Sequence, residues 1–540
     1  MDKLFGKPPT LPWVQEFHIK NNVWEKQIEA NFKKPFLQHE AKLNVKSIVP
    51  NFPPVHILVS INKDFDCEWL GKILSCGIAG IRIVLPALDE LLVLKILEKI
   101  KLANDIYSMK IGNENLLLTI LEVESFRVRI GNLKSYKITQ LKLEAGKEVT
   151  LTTNPDYKEH VTEDMIYVDY EKLTNVVQAG DKIIFNNCLA ELIADRVKET
   201  AVECTVEKTG DIISGESLTI PGAPIDKNQM SHHMQHRILD FVVDNDIDVV
   251  NIYDSYNKNE LQDILNIIES SLKVYVFATI DNLCAINEFE IILKYCDGVF
   301  IDLLKLQLEI QREKCFVAQK SLIAKANMFK KPVMVTLDFL NGKKLTKSEC
   351  YDIANMVLDG VDGFIIPQEK CTVEALQNIN KISKEAAAAF YLEKNFDGFA
   401  RNYKDPQIAI ALLAVKITHS CKAAAILCTT TAGSTSKHLS YFKPQCPIII
   451  ITKDRITARY LKIFHGVDPI VLTKKDLETV KDADSRIDFG ISYAKRKGYA
   501  KMGDAIVTVS LFSNDFLAAN CIKVFYCSKT GFSVSKCTYW

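Results

Sequence analysis

The chain has 540 residues, 48% of them apolar and 25% charged, with 67 basic side chains balanced by 67 acidic ones. That is the composition of a soluble globular protein of two to four domains, and it offers no long-range attraction to nucleic acid or anionic lipid. The longest apolar runs, such as 408–415 and 447–451, fall short of the roughly 18 residues a membrane span needs, and the fifteen scattered cysteines form no Cys-x-x-Cys pair, which excludes a zinc or disulfide framework.

The opening MDKLFGKPPTLPW has no apolar stretch before Pro8 and no small-residue cleavage site, so a cytoplasmic location is expected, with residues 1–45 an N-terminal arm. Eight β-rich apolar runs then alternate with helix-period segments: 55–61, 79–85, 116–123, 248–254, 273–280, 298–304, 332–339 and 361–367. Runs such as VHILVSI and KVYVFATI are apolar throughout, as parallel strands covered on both faces must be. The pattern predicts a (β/α)8 TIM barrel over 46–126 and 230–400. The gap between the third and fourth runs is filled by turn-punctuated strand sequence, predicting an inserted β-barrel-like domain at 127–229. After the eighth run a long helix leads into a C-terminal α/β domain, 401–540, with strands expected near 423–428, 447–452, 468–472, 504–511 and 521–527.

Four collinear segments carry a resemblance: LTIPGAPI at 218–225, EKCFVAQKSLIAKANMFKKPV at 313–333, IANMVLDGVDGFIIP at 353–367 and SRIDFGISYAKRKGYAKMGDAIV at 485–507. Together with the domain order they resemble pyruvate kinase over about 45–530. The resemblance implies phosphoryl transfer from phosphoenolpyruvate to ADP, with Mg²⁺ and K⁺ holding the phosphates, in a homotetramer regulated through the C-terminal domain.

Position by position, that chemistry is depleted. Arg82 and Arg129 match the family's phosphate-binding arginines, or serve as internal salt-bridge partners. Val84, Pro86 and Val123 replace oxygen ligands of K⁺, while Glu122 stands for the family's aspartate there. Thr279 replaces the lysine that stabilises the transferring phosphoryl group, and Asp281 stands for one Mg²⁺ carboxylate. Lys305 stands for the other, in Leu303-Leu304-Lys305-Leu306-Gln307, where two glycines are also missing. Leu337 replaces a threonine near the proton-transfer face, with Asp338 beside it. Both metal sites are therefore expected to be lost. Lys305 is expected either to neutralise Asp281 or Glu122 in place of the metal, or to turn to solvent on a helix.

In the C-terminal domain, Thr430, Gly433 and Thr435 keep hydroxyl and glycine positions of the family's sugar-phosphate effector loop, and Arg486 matches an effector-site arginine. Thr431 and Ser434 replace the usual lysine and arginine, so an ordinary helix cap is the alternative. His232 and His236 share a helical spacing without a third ligand, and read as a helix-start cluster rather than zinc ligands. The leading expectation is a catalytically impaired homologue acting by binding or assembly. It would bind a phosphorylated small molecule, form a homo-oligomer, or form a hetero-oligomer with an active paralogue. A slow active pyruvate kinase and a phospho-ligand sensor are the alternatives.

Overall fold

The computed structural model describes residues 36–46, 52–84, 90–123, 128–133, 140–185, 190–221, 241–252, 274–337, 340, 345–391, 405–430, 432–472, 483–510, 521–528 and 531–533. Pro86, the His232 and His236 pair, Asp338 and Thr431 lie outside these residues, as does the Val123 side chain.

Each of the eight expected runs contains a strand: β1 (His56–Ile61), β2 (Gly80–Val84), β3 (Leu118–Val123), then β12 (Val249–Ile252), β13 (Tyr275–Ile280), β14 (Gly298–Ile301), β15 (Val333–Thr336) and β16 (Gly363–Pro367). They pair in parallel and close in the order β1-β16-β15-β14-β13-β12-β3-β2. Alternation along each strand gives two faces. Ile57, Val59, Ile81 and Ile83 point outward into the core shared with the helices. Leu58, Leu118, Ile120, Val249, Phe277, Phe300 and Met334 fill the interior. Two strand-opening glycines make room for that filling: a Cβ on Gly298 would lie 2.4 Å from the Phe277 ring, and one on Gly363 would lie 2.1 Å from Met334 Cε.

The insert between β3 and β12 holds β4 (Leu141–Leu143), β5 (Glu148–Thr152), β6 (Met165–Tyr167), β7 (Lys182–Phe185), β8 (Glu191–Val197), β9 (Ala201–Lys208), β10 (Gly210–Ile212) and β11 (Leu218–Thr219). These make a six-stranded sheet, β11-β7-β8-β9-β5-β6, and a separate β10-β4 pair around their own core. The C-terminal sheet, β19-β18-β17-β20-β21-β22, comprises β17 (Ala425–Thr429), β18 (Ile448–Thr452), β19 (Val467–Val471), β20 (Ala505–Ser510), β21 (Cys521–Ser528) and β22 (Gly531–Ser533).

The C-terminal domain closes the end of the barrel where the strands begin. The barrel interior and Phe442, Tyr460 and Phe464 form one continuous core. Tyr460 stacks on Tyr275 with ring centroids 3.6 Å apart, and its hydroxyl donates to the Asp297 carbonyl at 3.0 Å. Around this aromatic seal run polar ties to the barrel: Arg459 to Asp248 at 2.7 Å, Lys443 to Asp362 at 2.7 Å, and Lys462 to the Leu116 carbonyl at 2.6 Å. The other end, where the strands finish, is left for the site.

Candidate functional site

The uppermost interior layer of the barrel is polar on five consecutive strands. Ser60 on β1, Arg82 on β2, Glu122 on β3, Asn251 on β12 and Thr279 on β13 each follow apolar interior residues two positions earlier or more, so the strand period aims them all inward. They form one hydrogen-bonded chain. Arg82 Nε donates to Glu122 Oε2 at 2.6 Å, and Arg82 Nη2 donates to the same oxygen. Asn251 Nδ2 donates to that oxygen too, at 2.8 Å, and to Thr279 Oγ1 at 2.8 Å. The Thr279 hydroxyl returns a bond to Asn251 Oδ1 at 3.2 Å, and Arg82 Nη1 reaches Ser60 Oγ at 3.4 Å. The Arg82 guanidinium carbon also lies 5.5 Å from the Phe300 ring centroid.

This layer is dry: Arg82 is 7% exposed, Glu122 2% and Asn251 0%. A buried charge is tolerated only when paired and hydrogen-bonded, and here a guanidinium and a carboxylate satisfy each other. Asn251 and Ser60 were not singled out from the sequence. The signal for Asn251 was present, since it is the one polar residue in the apolar run of β12, VVNI.

The other sequence-selected residues are distributed as follows. Asp281, just past β13, is buried and accepts from Asn282 Nδ2 at 2.8 Å. Residues Leu303–Glu309 form a helix capped by Asp302, whose Oδ1 accepts the Lys305 backbone N–H at 3.2 Å. The Lys305 ammonium lies 3.8 Å from Asp302 Oδ2, with 27% of its side chain exposed. The cation paired with Glu122 is thus Arg82, and Lys305 meets the carboxylate that caps its own helix. The loss of both glycines explains this, because Leu303 and Leu306 are buried and hold the segment as helix. Leu337 is fully buried in the outer core between strands and helices. Among the described residues no group of three or more His, Cys, Asp or Glu side chains is placed to hold a metal ion.

Arg129 belongs to the edge of the inserted domain. Its Nη1 donates to the Gly215 carbonyl at 3.1 Å and its backbone N–H to Asp169 Oδ1 at 2.6 Å, and burial pushes the Asp169 carboxyl up from its usual range. In the C-terminal domain Gly433 takes a left-handed conformation, φ 81°, at the start of the Ser434–Tyr441 helix, and donates its N–H to Thr430 Oγ1 at 2.9 Å. A Cβ there would lie 2.9 Å from Leu461, so glycine is required twice over. Thr435 is buried, and Arg486 Nε is buried without a hydrogen-bond partner.

The barrel domain model of pyruvate kinase matches residues 70–374, and its α/β domain model matches residues 408–525. Human pyruvate kinase PKLR is 28% identical over 408 residues, covering 72% of this chain and 70% of that protein. Pyruvate kinase 1 of Saccharomyces cerevisiae is 29% identical over 394 residues (70% and 78%), and the Lachancea kluyveri pyruvate kinase 30% over 397 residues (70% and 78%). With the closed barrel, the insert after its third strand and the C-terminal α/β domain in the same order, this chain belongs to the pyruvate kinase family.

Proposed function

We propose that this member of the family has largely given up phosphoryl transfer and acts by binding or assembly. The observation that carries the reading is the self-satisfied polar layer at the barrel mouth: Arg82 is neutralised by Glu122, and a threonine, Thr279, ends the chain where a cation would be needed. The residues present do not fit Mg²⁺ or K⁺. Glu122 is committed to Arg82 and Asn251, and hard cations take about six to eight oxygen ligands. A coupled assay with phosphoenolpyruvate, ADP, Mg²⁺ and K⁺ tests the reading, and turnover at an ordinary kinase rate would overturn it.

A phospho-ligand sensor is the second reading, favoured by the partnerless Arg486 Nε and by the Thr430–Gly433 turn at a helix start. A sugar bisphosphate is then expected to raise the melting temperature through mass action. No shift at millimolar ligand removes this reading.

Assembly has its own support. Two neighbouring outer helices, Cys315–Met328 and Lys347–Asp359, expose Phe316, Val317, Met328, Tyr351 and Leu358, more apolar surface than two solvated helices need. We assign this face to contact with a second copy or with an active paralogue. Phe316→Glu with Tyr351→Glu is expected to lower the mass measured by light scattering; an unchanged mass would remove this face from the assembly. Among the described residues no helix is long and apolar enough to cross a membrane, and a cytoplasmic location accompanies this reading.

A further inference from the structure

We propose that Glu122 is a built-in ligand of Arg82: a carboxylate carried by one strand occupies the guanidinium presented by its neighbour, so the barrel mouth takes up a small oxyanion when Glu122 is removed and a small cation when Arg82 is removed. The proposal deepens the reading of a catalytically silent mouth and rests on it.

Three observations carry it. The contact has the form of ligand recognition rather than of a surface ion pair, because two guanidinium N–H groups converge on one oxygen in a layer from which water is excluded. The surroundings are fixed from both sides: Asn251 adds a third donor to the same oxygen, and Ser60 and the Phe300 ring hold the guanidinium. Finally, the two charges stand at the finishing ends of adjacent strands, β2 and β3, which is the end of a barrel where ligands are taken up. An arginine whose planar fork suits carboxylate and phosphate alike is thereby occupied from within.

Removing one partner leaves the other buried and unpaired, which opens a vacancy of known sign and size. Glu122→Ala is expected to melt several degrees below the wild type, and inorganic phosphate or formate, at constant ionic strength, to restore about 2 °C or more at tenfold excess over its Kd. Arg82→Met is expected to respond to K⁺ and not to phosphate. The wild type and the double variant Arg82→Met/Glu122→Ala are expected to respond to neither.

Equal responses in wild type and Glu122→Ala, or none in a folded Glu122→Ala, would overturn the proposal. If Glu122→Ala is recovered unfolded, refolding in 50 mM phosphate is expected to return native circular dichroism. Failure there, with Glu122→Gln folded yet also indifferent to phosphate, counts against it equally. Turnover by the wild type would sink the reading of the mouth; absent rescue together with absent turnover sinks the internal-ligand proposal alone.

Discussion

Wild-type protein supplied with phosphoenolpyruvate, ADP, Mg²⁺ and K⁺ is expected to turn over about 10⁴-fold or more below the roughly 1–100 per second usual for kinases. The size follows from what the mouth lacks. Phosphoryl transfer depends almost wholly on preorganised positive charge, and losing one such donor typically costs about 10²–10³ in rate. Here Thr279 supplies a hydroxyl, and that hydroxyl is bound to Asn251. The one buried arginine of the layer has its charge cancelled by Glu122. Losing the metal removes a further several kcal/mol of charge stabilisation, and the losses do not simply add. Thr279→Lys alone is therefore expected to recover less than about tenfold, since its ammonium would enter beside Asn251 and Glu122 in an unchanged, metal-poor layer. A coupled assay giving the wild type about 10 turnovers per second, or the single variant a thousandfold gain, would sink this expectation.

Arg459→Met is expected to weaken the protein by about 3–5 kcal/mol at pH 8, and by much less near pH 5. Arg459 Nε lies 2.8 Å from Asp248 Oδ1, while Thr119 donates its backbone N–H at 2.9 Å and its hydroxyl at 3.1 Å to Oδ2. Burial pushes the Asp248 carboxyl up to about 6 from 3.8, against the pull of Arg459 and of these hydrogen bonds. A carboxyl whose pKa is raised by folding holds its proton more tightly in the folded state, so its contribution is largest below the unfolded pKa and is lost as the pH rises through the folded one. Without the guanidinium the folded pKa climbs further. The penalty is then full at pH 8 and shrinks as acid supplies the proton that replaces the missing cation. Asp246, whose side chain is 76% exposed, adds little to the contact. Calorimetric melting at both pH values checks this, with Arg459→Met/Asp248→Asn expected to recover most of the loss. An equal penalty at pH 8 and pH 5 would contradict the argument.

The fold was legible in the sequence because buried parallel strands write themselves as unbroken apolar runs, and β1, β13 and β18 do so. The site was legible only in part. Arg82, Glu122 and Thr279 stand out by position along their strands, but which cation answers Glu122 depends on neighbours brought together by closure of the barrel. Arg82 is 40 residues away in sequence and adjacent in space, while Lys305 is bound to its own helix cap. Asn251 sits between Glu122 and Thr279 because β12 lies between β3 and β13, a relation that closure creates across the inserted domain. Asp248 and Arg459, 211 residues apart, meet across a boundary between domains, and no local pattern announces such a pair.

The aromatic seal of Tyr460 and Tyr275 lies at one end of the barrel and the polar chain from Ser60 to Thr279 at the other, with the apolar interior between them. Cohesion and chemistry therefore occupy separate storeys of the same tube. Substitutions among the upper five residues leave the lower contacts with Phe442, Tyr460 and Phe464 untouched, so a lineage can rewrite or silence the mouth while the architecture persists. A barrel plugged at its base by a second domain is free to lose its trade and keep its shape.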